Sequence, residues 1–274
     1  MEGGAKELGV TDPEPAPTLS VEQHQAMIMF CSIIIERQIT LSDFNDLRFE
    51  NQTLPEIVQH EGWVPFLQRT GTISMDMVQD FYATILLVPI VSVRNTRVLL
   101  LPEKLARIVG YERPMEVFPS LPLFEEGQPH KTEIFQMMLG LDTIILKGSN
   151  MQHGLLLPFW RTLRLILSYY IDSKKHTTEV SFHQAEFMNL VAWEEPIDLA
   201  LYIFQTVRTQ ALSHDSVSLS YGVLLTQFLH AMLVPEGPDK TMRYPLGPIN
   251  KTTLSLSIAQ TRRAQIVRAT IGRQ

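Results

Sequence analysis

The stretch Tyr221-Gly222-Val223-Leu224-Leu225-Thr226-Gln227-Phe228-Leu229-His230-Ala231-Met232 decides the fold class. Tyr221, Leu224, Leu225, Phe228, Leu229 and Met232 share one helical face, an apolar stripe that other elements must cover. Upstream, Val78, Phe81, Tyr82, Ile85 and Leu86 repeat the same period. Further helices are expected from Leu155 to Tyr170, opened near Pro158, from Phe182 to Ala192, and from Pro196 through Ile197, Ala200, Leu201 and Phe204. Ser20 with Gln23 and Thr53 with Glu56 read as capping boxes, and Gly62 stops the second of these helices. The first is expected to carry Met27, Phe30 and Ile34 on one face and to run to about Glu36.

One segment changes period. Ile90, Val91 and Val93, then Val98 to Leu101, flank Arg94-Asn95-Thr96, which predicts a β-hairpin near residues 90–101. A short helix from Pro102 to Gly110 follows. The fold class is therefore mainly α (α-rich α+β), a compact multi-helix domain with one small β-hairpin. Its expected core includes Trp63, Phe81, Tyr82, Leu163, Phe204, Leu224 and Phe228.

Boundaries follow from punctuation and charge. Residues 1–19 read as a disordered leader broken by Gly3, Gly4, Pro13, Pro15 and Pro17, and the helical domain spans 20–235. Residues 111–130 hold four prolines and read as a long surface loop, while residues 236–274 read as a Pro/Gly linker and basic tail. From Lys240 onward there are seven basic residues and no acidic one, whereas residues 21–239 carry about -10 of the chain's net -6. The single Cys31 forms no internal disulfide, which fits a reducing compartment. No secretory signal opens the sequence, and no nearly uncharged stretch reaches the ~18 residues of a membrane span. The expectation is an intracellular protein without a membrane partner.

Candidate chemistry is sparse. Asp142, with Asp172 and Glu194-Glu195 as partners, is the best imitation of a two-metal carboxylate triad, but helical patterns surround it. The eight histidines show no metal-ligand spacing and read as surface residues. No G-x-S-x-G elbow or phosphate-binding glycine loop occurs, and Cys31 sits among apolar neighbours as a small core residue. No catalytic residue, cofactor or metal is assigned. The candidate nucleic-acid contacts are Arg262, Arg263 and Arg268 in the tail, with Arg94 and Arg97 at the hairpin. The tail's alternative partner is the acidic body of the same chain.

Several short blocks occur in a demanding order: Gly62-Trp63, Asp80-Phe81-Tyr82-Ala83, Val93 to Val98, Leu155 to Tyr170, Pro196-Ile197-Asp198-Leu199 and Tyr221 to Thr226. They resemble the plant transposon protein family, a retroelement-associated plant domain, and more distantly the plant mobile domain. The chain departs from the commoner family pattern at Asn95, where many members show glycine, and in the Pro-rich 111–130 loop. The resemblance implies a non-enzymatic, retroelement-derived domain that binds nucleic acid or a protein partner, with the nucleus favoured over the cytoplasm. It brings no active-site residue. The alternatives are a degenerate RNase H-like strand-transfer transposase, which needs a central strand over Leu139 to Leu146, and a self-assembling structural protein of a retroelement.

Overall fold

The computed structural model describes residues 20–85, 90–114, 130–140, 150–171, 179–213, 218–238 and 241–256. The chain opens with α1 (Val21–Met29), β1 (Arg37–Ile39), a 3-10 turn at Leu41–Phe44, β2 (Arg48–Phe49) and β3 (Gln52–Thr53). Next come α2 (Leu54–His60), α3 (Val64–Leu67), β4 (Ile73–Ser74), α4 (Met75–Thr84), β5 (Ile90–Val93), β6 (Thr96–Leu99) and α5 (Pro102–Val109). The second half contains α6 (Lys131–Leu139), β7 (Asn150–Gln152), α7 (Pro158–Tyr170), β8 (Glu179–Ser181), α8 (Phe182–Ala192), α9 (Leu199–Leu212), α10 (Gly222–Ala231), β9 (Met242–Arg243) and β10 (Leu246–Ile249). Helices dominate, as the periodicity requires, and no helix among the described residues is long and apolar enough to cross a membrane.

Local signals place most helix starts. Ser20 Oγ accepts from Gln23 N at 3.2 Å, and Gln23 Oε1 accepts from Ser20 N at 2.9 Å. Thr53 and Glu56 close the same reciprocal box on α2, and Ser181 and Gln184 close a third on α8. Two boundaries differ from expectation. The first helix stops at Met29, short of Glu36, and leaves Phe30 at 90% exposure rather than on a buried face. Residues beyond it are extended instead, with Ile33 bridging Leu219. The other difference is at α9, which starts at Leu199 rather than Pro196 because Asp198 Oδ1 accepts from Leu201 N at 3.0 Å and caps it there.

The buried helix α10 organises the core, packing against α4, β4 and α5, while α4 also meets α1 and α9. Its entry is tightly built. Tyr221 takes the left-handed conformation, φ 58°, and its hydroxyl donates to the Ile171 carbonyl at 2.7 Å. A β-carbon on Gly222 would stand 2.9 Å from side-chain carbons of Ile33 and Ile73, so only glycine permits this approach. No side chain at Tyr221 caps the helix; the buried carboxylate of Glu36 does, accepting from Val223 N at 3.0 and 3.1 Å. Trp63, Phe81, Tyr82, Leu163, Leu224 and Phe228 are all buried as expected. Phe204 is only partly buried, with the Arg208 guanidinium 5.6 Å from its ring centroid.

The strands correct the single-hairpin expectation. The hairpin is present, with Val93 opposite Thr96, and both Arg94 and Asn95 take positive φ, the two-residue turn suited to a right-twisted ribbon. Four further two-stranded sheets accompany it among the described residues. Two of them recruit the segment read as a linker: β9 pairs antiparallel with β4, and β10 runs parallel to β1. Residues 251–256 then form a helical turn whose Lys251 Nζ lies 3.4 Å from Asp46. Residues 241–256 thus pack on the helical body, because partners about 200 residues away supply the hydrogen bonds that local Pro and Gly do not.

Candidate functional site

Three helix ends meet at an open cleft of about 520 Å³. Gln59, His60, Glu61 and Gly62 come from the C-terminus of α2, and Gly110, Tyr111 and Glu112 from that of α5. Glu194 follows the end of α8, and Val64, Pro65, Pro114, Pro196 and Ile197 supply the apolar walls. Each helix is terminated by local chemistry. Gly110 takes φ 82° and donates its N–H to Ala106, while Gly62 turns the chain at φ 70°. Glu194 holds φ 55°, a conformation rare for a side-chain-bearing residue.

Carboxyl groups outnumber bases among the lining residues of this arrangement. A helix C-terminus carries a partial negative charge, roughly -0.5 of an elementary charge. Glu61, Glu112 and Glu194 stand at these three ends; Arg107 in the last turn of α5 offsets one of them, and α8 has no basic residue in its last turn. Burial pushes the Glu61 carboxyl up to about 8, with Glu194 and Glu195 adding to the shift. Its buried Oε1 meets no hydrogen-bond donor among the described residues. His60 Nδ1 stands 3.8 Å from Glu194 and is largely exposed.

The wall beside it is rigidly held. Asp198 accepts from Arg113 through Nε at 2.9 Å and Nη2 at 2.6 Å, and from the Tyr111 hydroxyl at 3.1 Å. Arg113 also pairs with Glu103 on α5. One carboxylate thus caps α9 and ties the exit of α5 to it. Burial, then the Asp198 charge, raises the Tyr111 phenol well above its usual range, so it stays a neutral donor.

The sequence-derived candidates fall elsewhere. Arg94 is engaged by the fold: Nε donates to Asp80 at 2.8 Å and Nη1 to the Pro235 carbonyl at 3.3 Å. Arg97 stands exposed on β6, opposite Ser92. Arg262, Arg263 and Arg268 lie outside the described residues, as do Asp142 and Asp172, while Leu139 closes helix α6. Glu194, which the sequence offers as a partner for Asp142, belongs to the cleft. Two histidines depart from the surface reading. His24 is buried with Nε2 2.6 Å from the Ala211 carbonyl, and burial holds the His153 imidazole down at about 4. Among the described residues, no group of three or more His, Cys, Asp or Glu is placed to hold a metal ion.

The cleft itself was missed from sequence, although Gly62, Gly110 and Pro196, which end or interrupt helices, mark its rim. Two of the blocks carrying the retroelement resemblance, Gly62-Trp63 and Pro196-Ile197, reach it. No family model, no curated protein and no solved structure matches this chain.

Proposed function

We propose that this chain is a binding domain of plant retroelement descent and that its cleft at the ends of α2, α5 and α8 docks a positively charged segment of a protein partner. The observation that supports the reading is that three helix C-termini line one concave surface with the carboxylates Glu112 and Glu194 and the carboxyl of Glu61. Such a site repels a phosphate backbone and attracts a basic chain. The acidic balance of residues 21–239 acts in the same direction over longer range. Binding of nucleic acid belongs, on this reading, to the basic residues beyond Lys240 and not to the body.

Trp63 and Trp193 adjoin the cleft residues Gly62 and Glu194, so intrinsic fluorescence provides the test. A basic peptide should change the emission of the full chain in the presence of a divalent-metal chelator, and a duplex DNA should not change it. A chain truncated after residue 256 should retain the peptide response. Mg²⁺-dependent nicking or joining of DNA would favour the strand-transfer alternative, and growth of scattering with concentration would favour self-assembly.

A further inference from the structure

We infer that residues 241–256 form a latch that opens and closes as one unit over a body that stays folded, and that carboxylates of the body set how much of the time it is closed. Its action does not depend on what the cleft binds. Within the segment only Ile249 and Leu254 are buried, whereas Tyr244, Leu246 and Leu256 are exposed. So little apolar anchorage places a segment at the low-stability end of a fold. The remaining contacts are polar. Asp76 Oδ2 accepts from Thr241 N at 2.9 Å, Asp43 Oδ2 accepts from Lys251 N at 3.3 Å, and Lys251 Nζ lies 3.4 Å from Asp46. The segment itself carries Arg243 and Lys251 and no acidic residue. Between its ends, Arg37 Nε donates to the Gly247 carbonyl at 2.7 Å and Nη2 to the Pro248 carbonyl at 3.2 Å. Backbone bonds complete the closure: Met75 N donates to the Thr241 carbonyl at 2.9 Å, and Thr40 N to the Ile249 carbonyl at 3.0 Å.

The strands beneath are held without the latch. Glu36, which caps α10, fixes β1 from the other side, together with buried Ile39 and the Tyr170 hydroxyl, which donates to the Arg37 carbonyl. Buried Ile73 fixes β4, as does Ser74, whose N–H donates to Thr226 Oγ1 at 3.1 Å. Opening therefore breaks one side of two short ladders and leaves the core contacts of both strands in place. Water then satisfies the freed backbone groups. Arg262, Arg263 and Arg268 follow the latch in the chain, so its state sets how closely they are tethered to the acidic body.

Hydrogen exchange of the full chain, read amide by amide by NMR, provides the test. Met75 N and Thr40 N report the two ends of the latch, and Leu225 N and Phe228 N report α10. The latch amides should show equal protection, lower than that of α10. Their urea dependence should be shallow where that of α10 is steep, since opening the latch exposes little surface. Raising NaCl from ~0.01 to ~1 M cuts the screening length from ~30 to ~3 Å and should lower the protection of both latch amides together. Asp43→Asn combined with Asp46→Asn should lower both by about two- to five-fold, the size expected of exposed charge contacts. Thr40 lies near these substitutions, but Met75 pairs at the latch's other end, so its equal response is the mark of a single unit. Protection and urea slopes matching those of α10 would overturn the inference, because the segment would then leave only when the whole fold does. A response of Thr40 alone would overturn it too, since the segment would fray rather than open. Latch protection that stayed constant under salt or under the double substitution would show that the carboxylates do not hold it, with the same consequence.

Discussion

Replacing Glu36 with glutamine tests the most consequential buried charge in the fold. Glu36 is buried, and both of its oxygens accept from Val223 N at the entry of α10. Burial pushes its carboxyl from the ordinary 4.5 up to about 7, against the opposing pull of the Val223 and Leu224 amides and the Arg69 charge. Because the folded value is the higher one, the folded protein holds the proton more tightly than the open chain. The resulting stability is full below pH 4.5 and is lost as pH rises toward 7. At ~1.36 kcal/mol for each pH unit across that window, the loss is about 3 kcal/mol. Glutamine keeps an oxygen for the Val223 N–H and removes the titration. Urea unfolding of the two proteins between pH 4.5 and 8, followed by tryptophan emission, gives the difference directly. Glu61 also contributes a decline with pH, but it is common to both proteins and cancels. Relative to wild type, the glutamine variant should gain about 3 kcal/mol on going from pH 4.5 to 8. A difference that stays constant within ~0.5 kcal/mol across this range would refute the reasoning and mean that Glu36 remains ionised in the folded protein.

Phe228→Ala empties a fully buried position between α10 and Phe81 and should cost ~3–5 kcal/mol by denaturant unfolding. Gly222→Ala forces a β-carbon to 2.9 Å from Ile33 and Ile73, and calorimetry should show a loss of ~1–3 kcal/mol. Arg94→Ala releases Asp80 and the Pro235 carbonyl at a partly exposed site, for a loss of at most about 1 kcal/mol, and should leave any DNA affinity measured by filter binding unchanged. Truncation after residue 239 removes β9 and β10 and should lower Tm, whereas truncation after residue 256 keeps every described contact and tests the basic tail cleanly.

Interactions that span three or four residues were legible in the sequence. The capping boxes at Ser20 and Thr53, the stripes of α4 and α10, the Pro102 start and Gly110 stop of α5, and the 90–101 hairpin all depend on neighbours in the chain. Tertiary pairing decided what local pattern could not. The Pro/Gly stretch after Val234 became strands because β1 and β4 offered unpaired backbone to it. Arg94 turned from a free hairpin charge into a fold contact when Asp80 came within 2.8 Å. The cleft draws its walls from residues 59–65, 110–114 and 194–197, segments that composition treats as unrelated turns. Sequence by itself determined an α-rich, acidic body, since period and charge are properties of the chain alone. Only the tertiary structure decided where the negative charge concentrates, because a carboxylate's field and protonation depend on which helix ends and which other carboxylates stand beside it in space.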